Sequence, residues 1–193
     1  MNETNARPNG APEAARPTLN IRLDRIAQIF NTLDPDPFRK RDLDPAAEDY
    51  LVGWAKEQPG RPLEIEVLVS PAEATTRDAA ELPDALRGYF AGRAAAKGRE
   101  IRELFRLGRI ALVVGMGVLA LCLVLARLLA ETYPGGFGSV VREGLVIAGW
   151  VANWRPIEIF LYDWWPLVRQ RRLFQRLAAA EVVVRVDPGA GAT

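Results

Sequence analysis

The chain has no histidine and a single cysteine, Cys122, and these two shortages remove much of the usual site chemistry at once. Without His there is no Ser–His or Cys–His pair, no imidazole base, and no zinc site of the ordinary Cys/His kind. One cysteine cannot close an internal disulfide, so it does not reveal the redox compartment. Cys122 lies inside an apolar run, where it reads as a small hydrophobe. A charge excess is missing too. A net charge of +1 over 193 residues lacks the basic surplus of a general nucleic-acid binder. Ser70 and Ser139 are the only serines, and no Gly-rich phosphate loop follows a strand. The residues thus point to no catalytic group, no metal site and no cofactor, and a non-enzymatic protein is expected.

What is present is unevenly distributed. The hydrophobic fraction of 49% and charged fraction of 25% are ordinary for a soluble domain, but the apolar residues crowd between Ile110 and Trp165. Residues 1–18 are rich in Asn, Pro, Ala and Glu and lack the apolar core of a signal peptide, so a disordered tail is expected there.

Leu19, Ile21 and Leu23 alternate as in a half-buried strand. Ile26, Ile29, Phe30 and Leu33 then follow at helical spacing. A loop from Asp34 to Asp44 carries two X-Pro steps. Its aspartates suggest calcium, but an EF-hand loop counted from Asp34 would need Gly and Glu where Arg39 and Pro45 stand. Turn and cap roles account for them better. Asp44 and Pro45 make a helix start, with a stop expected near Gln58 at Pro59-Gly60. Leu63, Ile65, Val67 and Val69 define one face of a clear strand, with Glu64 and Glu66 on the other. Pro83 is expected to open a helix that buries Leu86, Tyr89 and Phe90. Gly88, Gly92, Gly98 and Gly108 leave two possibilities beyond it: one helix continuing into the apolar run, or a joint. Glu181 to Val186 reads as a third strand.

Ile110 to Leu129 carries one charge, Arg127 near its end, over the length that crosses a hydrocarbon core. Tyr133-Pro-Gly-Gly-Phe-Gly138 suits a tight turn. The second apolar segment reaches spanning length only by including Arg142 and Glu143 or Arg155, Glu158 and Asp163. The expected fold class is therefore α+β, with a two-helix transmembrane hairpin inserted into a small cytoplasmic domain of about three strands. In residue terms this gives a tail over 1–18, a cytoplasmic domain and juxtamembrane helix over 19–108, and the hairpin over 109–165. A cytoplasmic helix and returning strand follow over 166–186, then a tail over 187–193. Basic residues flank both ends of the hairpin, from Arg93 to Arg109 and from Arg169 to Arg176, whereas the connecting loop has none. The positive-inside rule then puts both termini in the cytoplasm.

Two sets of residues stand out as candidate sites. Arg99, Arg102, Arg106 and Arg109 share a helical face that enforces topology or contacts anionic lipid. Arg155, Glu158 and Tyr162 line one face if their segment is helical, with Asp163 beside them. Ionisable groups at membrane depth are costly and face protein or water. This second set either anchors and locks the hairpin or, in an oligomer, lines a polar path.

The stretch Trp154-Arg-Pro-Ile-Glu-Ile-Phe-Leu-Tyr-Asp-Trp-Trp-Pro166, together with Ile21-Arg-Leu-Asp-Arg-Ile-Ala-Gln-Ile-Phe30, resembles a group of small bacterial membrane proteins with a central hydrophobic hairpin. The resemblance implies a bacterial inner-membrane location and no particular chemistry. The expected partners are the lipid bilayer, further copies of the chain, and a protein bound at the cytoplasmic domain. The expected function is to bind that partner or organise an oligomeric complex. The alternative is a subunit of an oligomeric ion or proton channel or transporter.

Overall fold

The computed structural model describes residues 17–30, 42–132 and 135–187. The expectations for the N-terminal tail before Pro17, for Leu33, Asp34, Asp36 and Arg39, for Tyr133-Pro134, and for the C-terminal tail beyond Asp187 lie outside these residues. The chain is mostly helical, with one three-stranded sheet, and divides into two units: residues 1–92 with 173–193, and residues 93–172.

The first unit is built on strands β1 (Thr18–Leu23), β2 (Glu64–Val69) and β3 (Glu181–Val186), hydrogen-bonded in that order and all parallel. Leu19 pairs with Ile65, and Ile65 with Val182, so the alternating apolar residues that begin at these three positions fall on one face. Ile65, Val67 and Val69 are fully buried there. The other face is mostly polar, with Leu68 and Val183 as its apolar members. On it Arg185 pairs with Glu66 at 2.9 Å, and Arg22 reaches the buried Asp187 at 3.0 Å.

After β1, Ile26–Ile29 forms a 3-10 turn that buries Ile26 and Ile29. Phe30 bridges antiparallel to Leu43. Helix α1 (Pro45–Glu57) begins as its sequence demands, with Asp44 accepting a bond from the Ala46 N–H at 2.9 Å and Pro45 in the first turn. Gly60 then takes φ +76°, the left-handed value that favours glycine and turns the chain toward β2. A short helix α2 (Pro71–Ala74) is capped by Ser70, whose hydroxyl accepts from Glu73.

The long helix α3 spans Arg77–Thr132 and passes Gly88, Gly92, Gly98 and Gly108 without a joint. Its start corrects the expectation at Pro83. Thr76 sets it, accepting at its hydroxyl from the Ala79 N–H (3.3 Å) and at its carbonyl from the Ala80 N–H (3.4 Å). Pro83 therefore lies inside the helix, where its ring removes the donor for the Ala79 carbonyl. What holds this turn is burial: Ala79, Leu82, Leu86 and Phe90 recur at helical spacing and are all buried.

The expectation of two membrane-length helices is also corrected. Among the described residues only α3 is long and apolar enough to cross a membrane. The return is made of four consecutive pieces: α4 (Gly136–Val151), α5 (Trp154–Glu158), a π turn (Ile159–Asp163) and α6 (Trp164–Ala178). At about 1.5 Å per residue α4 measures roughly 24 Å, short of a hydrocarbon core of about 30 Å.

The last turns of α6 rejoin the first unit. Phe174 stacks on Phe90 with ring centroids 6.2 Å apart, and Leu177 is buried. Arg176 donates to the carbonyls of Ala55 (3.3 Å), Gln58 and Arg61 (2.9 Å). A guanidinium thus satisfies the Ala55 and Gln58 carbonyls that the end of α1 leaves without helical donors, where positive charge is also favoured, and ties in Arg61 from the turn beyond. Arg176→Ala should lower thermal stability in detergent by about 1.5–3 kcal/mol. The exposed Arg172→Ala should stay within about 0.5 kcal/mol. Equal shifts for the two would show that the α1 terminus does not depend on this residue.

Candidate functional site

Within the second unit, α3 and the returning pieces meet at small residues on both sides. A Cβ on Gly108 would meet Ile159 at 2.8 Å, and one on Gly149 would meet the Leu119 side chain at 2.8 Å and Cys122 at 3.3 Å. Phe105 packs on Phe160 and Trp164, at 6.0 and 6.5 Å between centroids. Arg171 lies over Gly98. The matched positions fall along α3 as they rise along the return, so the four pieces run back beside it. Small residues at 108, 115 and 149 let the backbones approach closely, a packing mode that needs no hydrophobic drive.

The closest approach is at Asn153, which is only 5% exposed. Its side-chain amide donates to the carbonyls of Gly115 (3.1 Å) and Gly149 (3.0 Å). Its Oδ1 has no conventional donor. That oxygen and the Ala152 carbonyl lie 2.7 and 3.0 Å from where a Gly115 Cβ would stand, so both abut the Gly115 α-carbon. Cα–H···O contacts are the weak compensation available there. Pro156 explains why Ala152 is free. Lacking an N–H, it cannot bond the carbonyl four residues back, and the chain turns at Ala152–Asn153 before α5 resumes.

The charged residues follow immediately. One guanidinium nitrogen of Arg155 lies 3.2 Å from Glu158 and 3.2 Å from Asp163. The Trp154 indole donates to the other Glu158 oxygen at 2.9 Å. Arg155 and Glu158 meet at the expected i, i+3 spacing. Asp163 is eight residues from Arg155, which in an α-helix leaves it about 80° around the axis. The intervening π turn has wider i→i+5 closure and takes up part of that offset. Tyr162 lies on the same turn and is exposed, and its hydroxyl makes no hydrogen bond to the cluster. The indole of Trp164 donates to the Phe160 carbonyl at 2.9 Å, tying the end of the π turn. The result is one basic and two acidic side chains, each exposed or half-exposed and each engaged by another.

Arg99, Arg102, Arg106 and Arg109 are all exposed, and none is ion-paired to a carboxylate among the described residues. The nearby Glu100 is taken by Lys97 at 2.8 Å.

Asn153, Gly115 and Gly149 were not among the candidate residues, yet they hold the two legs together. The signal available was Asn153 as the one polar residue in an otherwise apolar run. Compared with known proteins, the chain matches no family model, no curated protein and no solved structure.

Gly115→Ala should cost about 1–3 kcal/mol, because the methyl meets backbone and a held amide oxygen. Gly117→Ala has nothing within 4 Å and should be neutral or slightly stabilising. Thermal unfolding of the two variants in the same detergent tests this; equal behaviour would remove the seam at Gly115.

Proposed function

We propose that the second unit sits in a bacterial inner membrane as a two-legged hairpin and that the parallel-sheet unit lies on the cytoplasmic side with both termini. There the protein, as an oligomer, binds a partner or organises a complex and catalyses no reaction itself. The observation that carries the membrane reading is the surface of α3. In its most apolar 18-residue window only 11% is buried, and side chains such as Val113 (72% exposed) and Val124 (55% exposed) contact little of the chain. Leaving the apolar side chains from Ile110 to Leu128 in water would forfeit on the order of 10 kcal/mol, comparable to the whole stability of a domain.

Connectivity supports two crossings. Residues 93–172 leave after β2 and must return for β3 to pair with it, so a chain that crosses once has to cross again. The short α4 then needs α5 and the π turn to complete its path. The arginines on both flanks support the cytoplasmic assignment.

The Arg155 cluster is best read as an interfacial anchor. Asn153 lies against Gly115 and Trp164 against Phe105, so the cluster lies level with the cytoplasmic end of the apolar run. Arg155 extends toward Asp163, away from the apolar middle, as snorkelling side chains do. The channel or transporter alternative draws on the same three side chains. It requires ion or proton flux in proteoliposomes that falls in Glu158→Gln, whereas the anchor reading gives no flux in either protein.

Topology is testable with single cysteines in a Cys122→Ser chain. Tyr50 and Val124 are similarly exposed, at 58% and 55%. In intact membrane vesicles a membrane-impermeant maleimide should label Tyr50→Cys and not Val124→Cys. Phe137→Cys should label only from the opposite side. Labelling of Val124→Cys at the Tyr50→Cys rate would overturn the membrane reading, and labelling of Phe137→Cys from the Tyr50 side would overturn the crossing by α3. Pull-down from mild detergent should recover homo-oligomers or a stoichiometric partner; a clean monomer would count against the assembly role.

A further inference from the structure

Arg99, Arg102, Arg106 and Arg109 recur at steps of three and four, which keeps them on one side of α3. At about 100° per residue they lie roughly 100–180° around the axis from Gly108, so that Arg99 and Arg106 face away from the returning pieces and Arg102 and Arg109 lie on the flank beside Phe105. Four exposed guanidinium groups, none ion-paired to a carboxylate among the described residues, stand along this face against the one neighbouring carboxylate of Glu103, so positive charge is in excess there. An anion would offset that excess.

The same face changes character abruptly at its C-terminal end. Val113 is the most exposed of the large apolar side chains of α3. Beyond it Gly117 leaves open space, with nothing within 4 Å of a Cβ placed there. Guanidinium, then aliphatic surface, then a shallow gap is the sequence of features that fits a phosphate ester carrying a hydrocarbon chain. Free phosphate would use only the first of them, and an acidic protein would have no use for the last two.

We propose that this face binds an anionic phospholipid, with its phosphate between Arg106 and Arg109 and one acyl chain along Val113 and Gly117. The proposal rests on the membrane reading above and assigns unequal roles to the four arginines. Taking Ile110 as the edge of the hydrocarbon, Arg109 and Arg106 stand about 1.5 and 6 Å below it, within a headgroup layer of roughly 5–7 Å. Arg102 and Arg99 stand about 12 and 16 Å below, beyond direct contact, and act only through a field that decays over roughly 8–10 Å.

The test uses the full chain reconstituted in vesicles of phosphatidylcholine, with and without phosphatidylglycerol, then extracted in mild detergent for native mass spectrometry. The wild-type chain should retain phosphatidylglycerol in preference to phosphatidylcholine. Arg106→Gln/Arg109→Gln should weaken that retention roughly ten- to thirtyfold, and Arg99→Gln/Arg102→Gln should change it by less than about threefold. Equal retention in the two double variants, no preference for the anionic lipid, displacement by inorganic phosphate, or an acidic protein in place of lipid would each overturn the proposal. Flotation separates this failure from that of the membrane reading. A chain that floats with both vesicles but keeps no phosphatidylglycerol refutes the lipid site alone, and one that floats with neither refutes the membrane location.

Discussion

The parallel pairing of β3 with β2 is the constraint on which the rest of the molecule depends. Six residues of each strand lie side by side in register, although more than a hundred residues separate them in the chain. Everything between must therefore close on itself. Helix α3 leaves the first unit past Phe90 and α6 comes back at Phe174, and the stacking of these two rings marks the root of the insertion. Arg176 adds a second tie by holding the end of α1. These contacts make residues 93–172 an excursion from a βαβ-like connection, with its entry and exit both secured within the first unit.

Along the excursion, the problem is to run a broken return beside a continuous helix without losing contact. Glycine solves part of it at Gly108, Gly115 and Gly149, where a methyl group would collide. Asn153 solves another part by donating to a carbonyl on each side. The breaks themselves have local causes. Pro156 forbids the bond that would have carried α4 onward, and the π turn follows within a few residues. That turn brings Asp163 to Arg155, giving the guanidinium a second carboxylate and leaving no isolated charge in the cluster.

The three strands, the Asp44–Pro45 helix start and the long apolar run were legible in the sequence because each rests on local signals: period-two alternation, a cap followed by proline, and length without charge. Strand order and parallel direction were not, since they depend on pairings between distant residues. Pro83 was read as a beginning because proline favours first turns; Thr76 is the true start, and Leu82, just ahead of the proline, carried the buried face that should have extended the helix backward. The Arg155–Glu158 pair was legible from its spacing. Asp163 stood out beside them, but its ion pair with Arg155 was not legible, because a π turn depends on how Ile159 and Phe160 pack over Gly108. The seam glycines carry no chemistry of their own, so only a partner surface reveals what they are for.

The position of β3 also imposes an order on biosynthesis. A ribosome makes β1, α1 and β2 first, then the whole of α3 and the return, and only then β3. Until then β2 has one parallel neighbour and an open edge, the kind of exposed ladder that invites misplaced pairing. Long-range parallel pairing is slow to form even when both strands are present. The sheet is therefore completed only after residues 93–172 have been made and β3 has been released. Completion of the sheet thus records that the insert has come home, and a chain truncated anywhere before Glu181 would be left holding an unfinished edge.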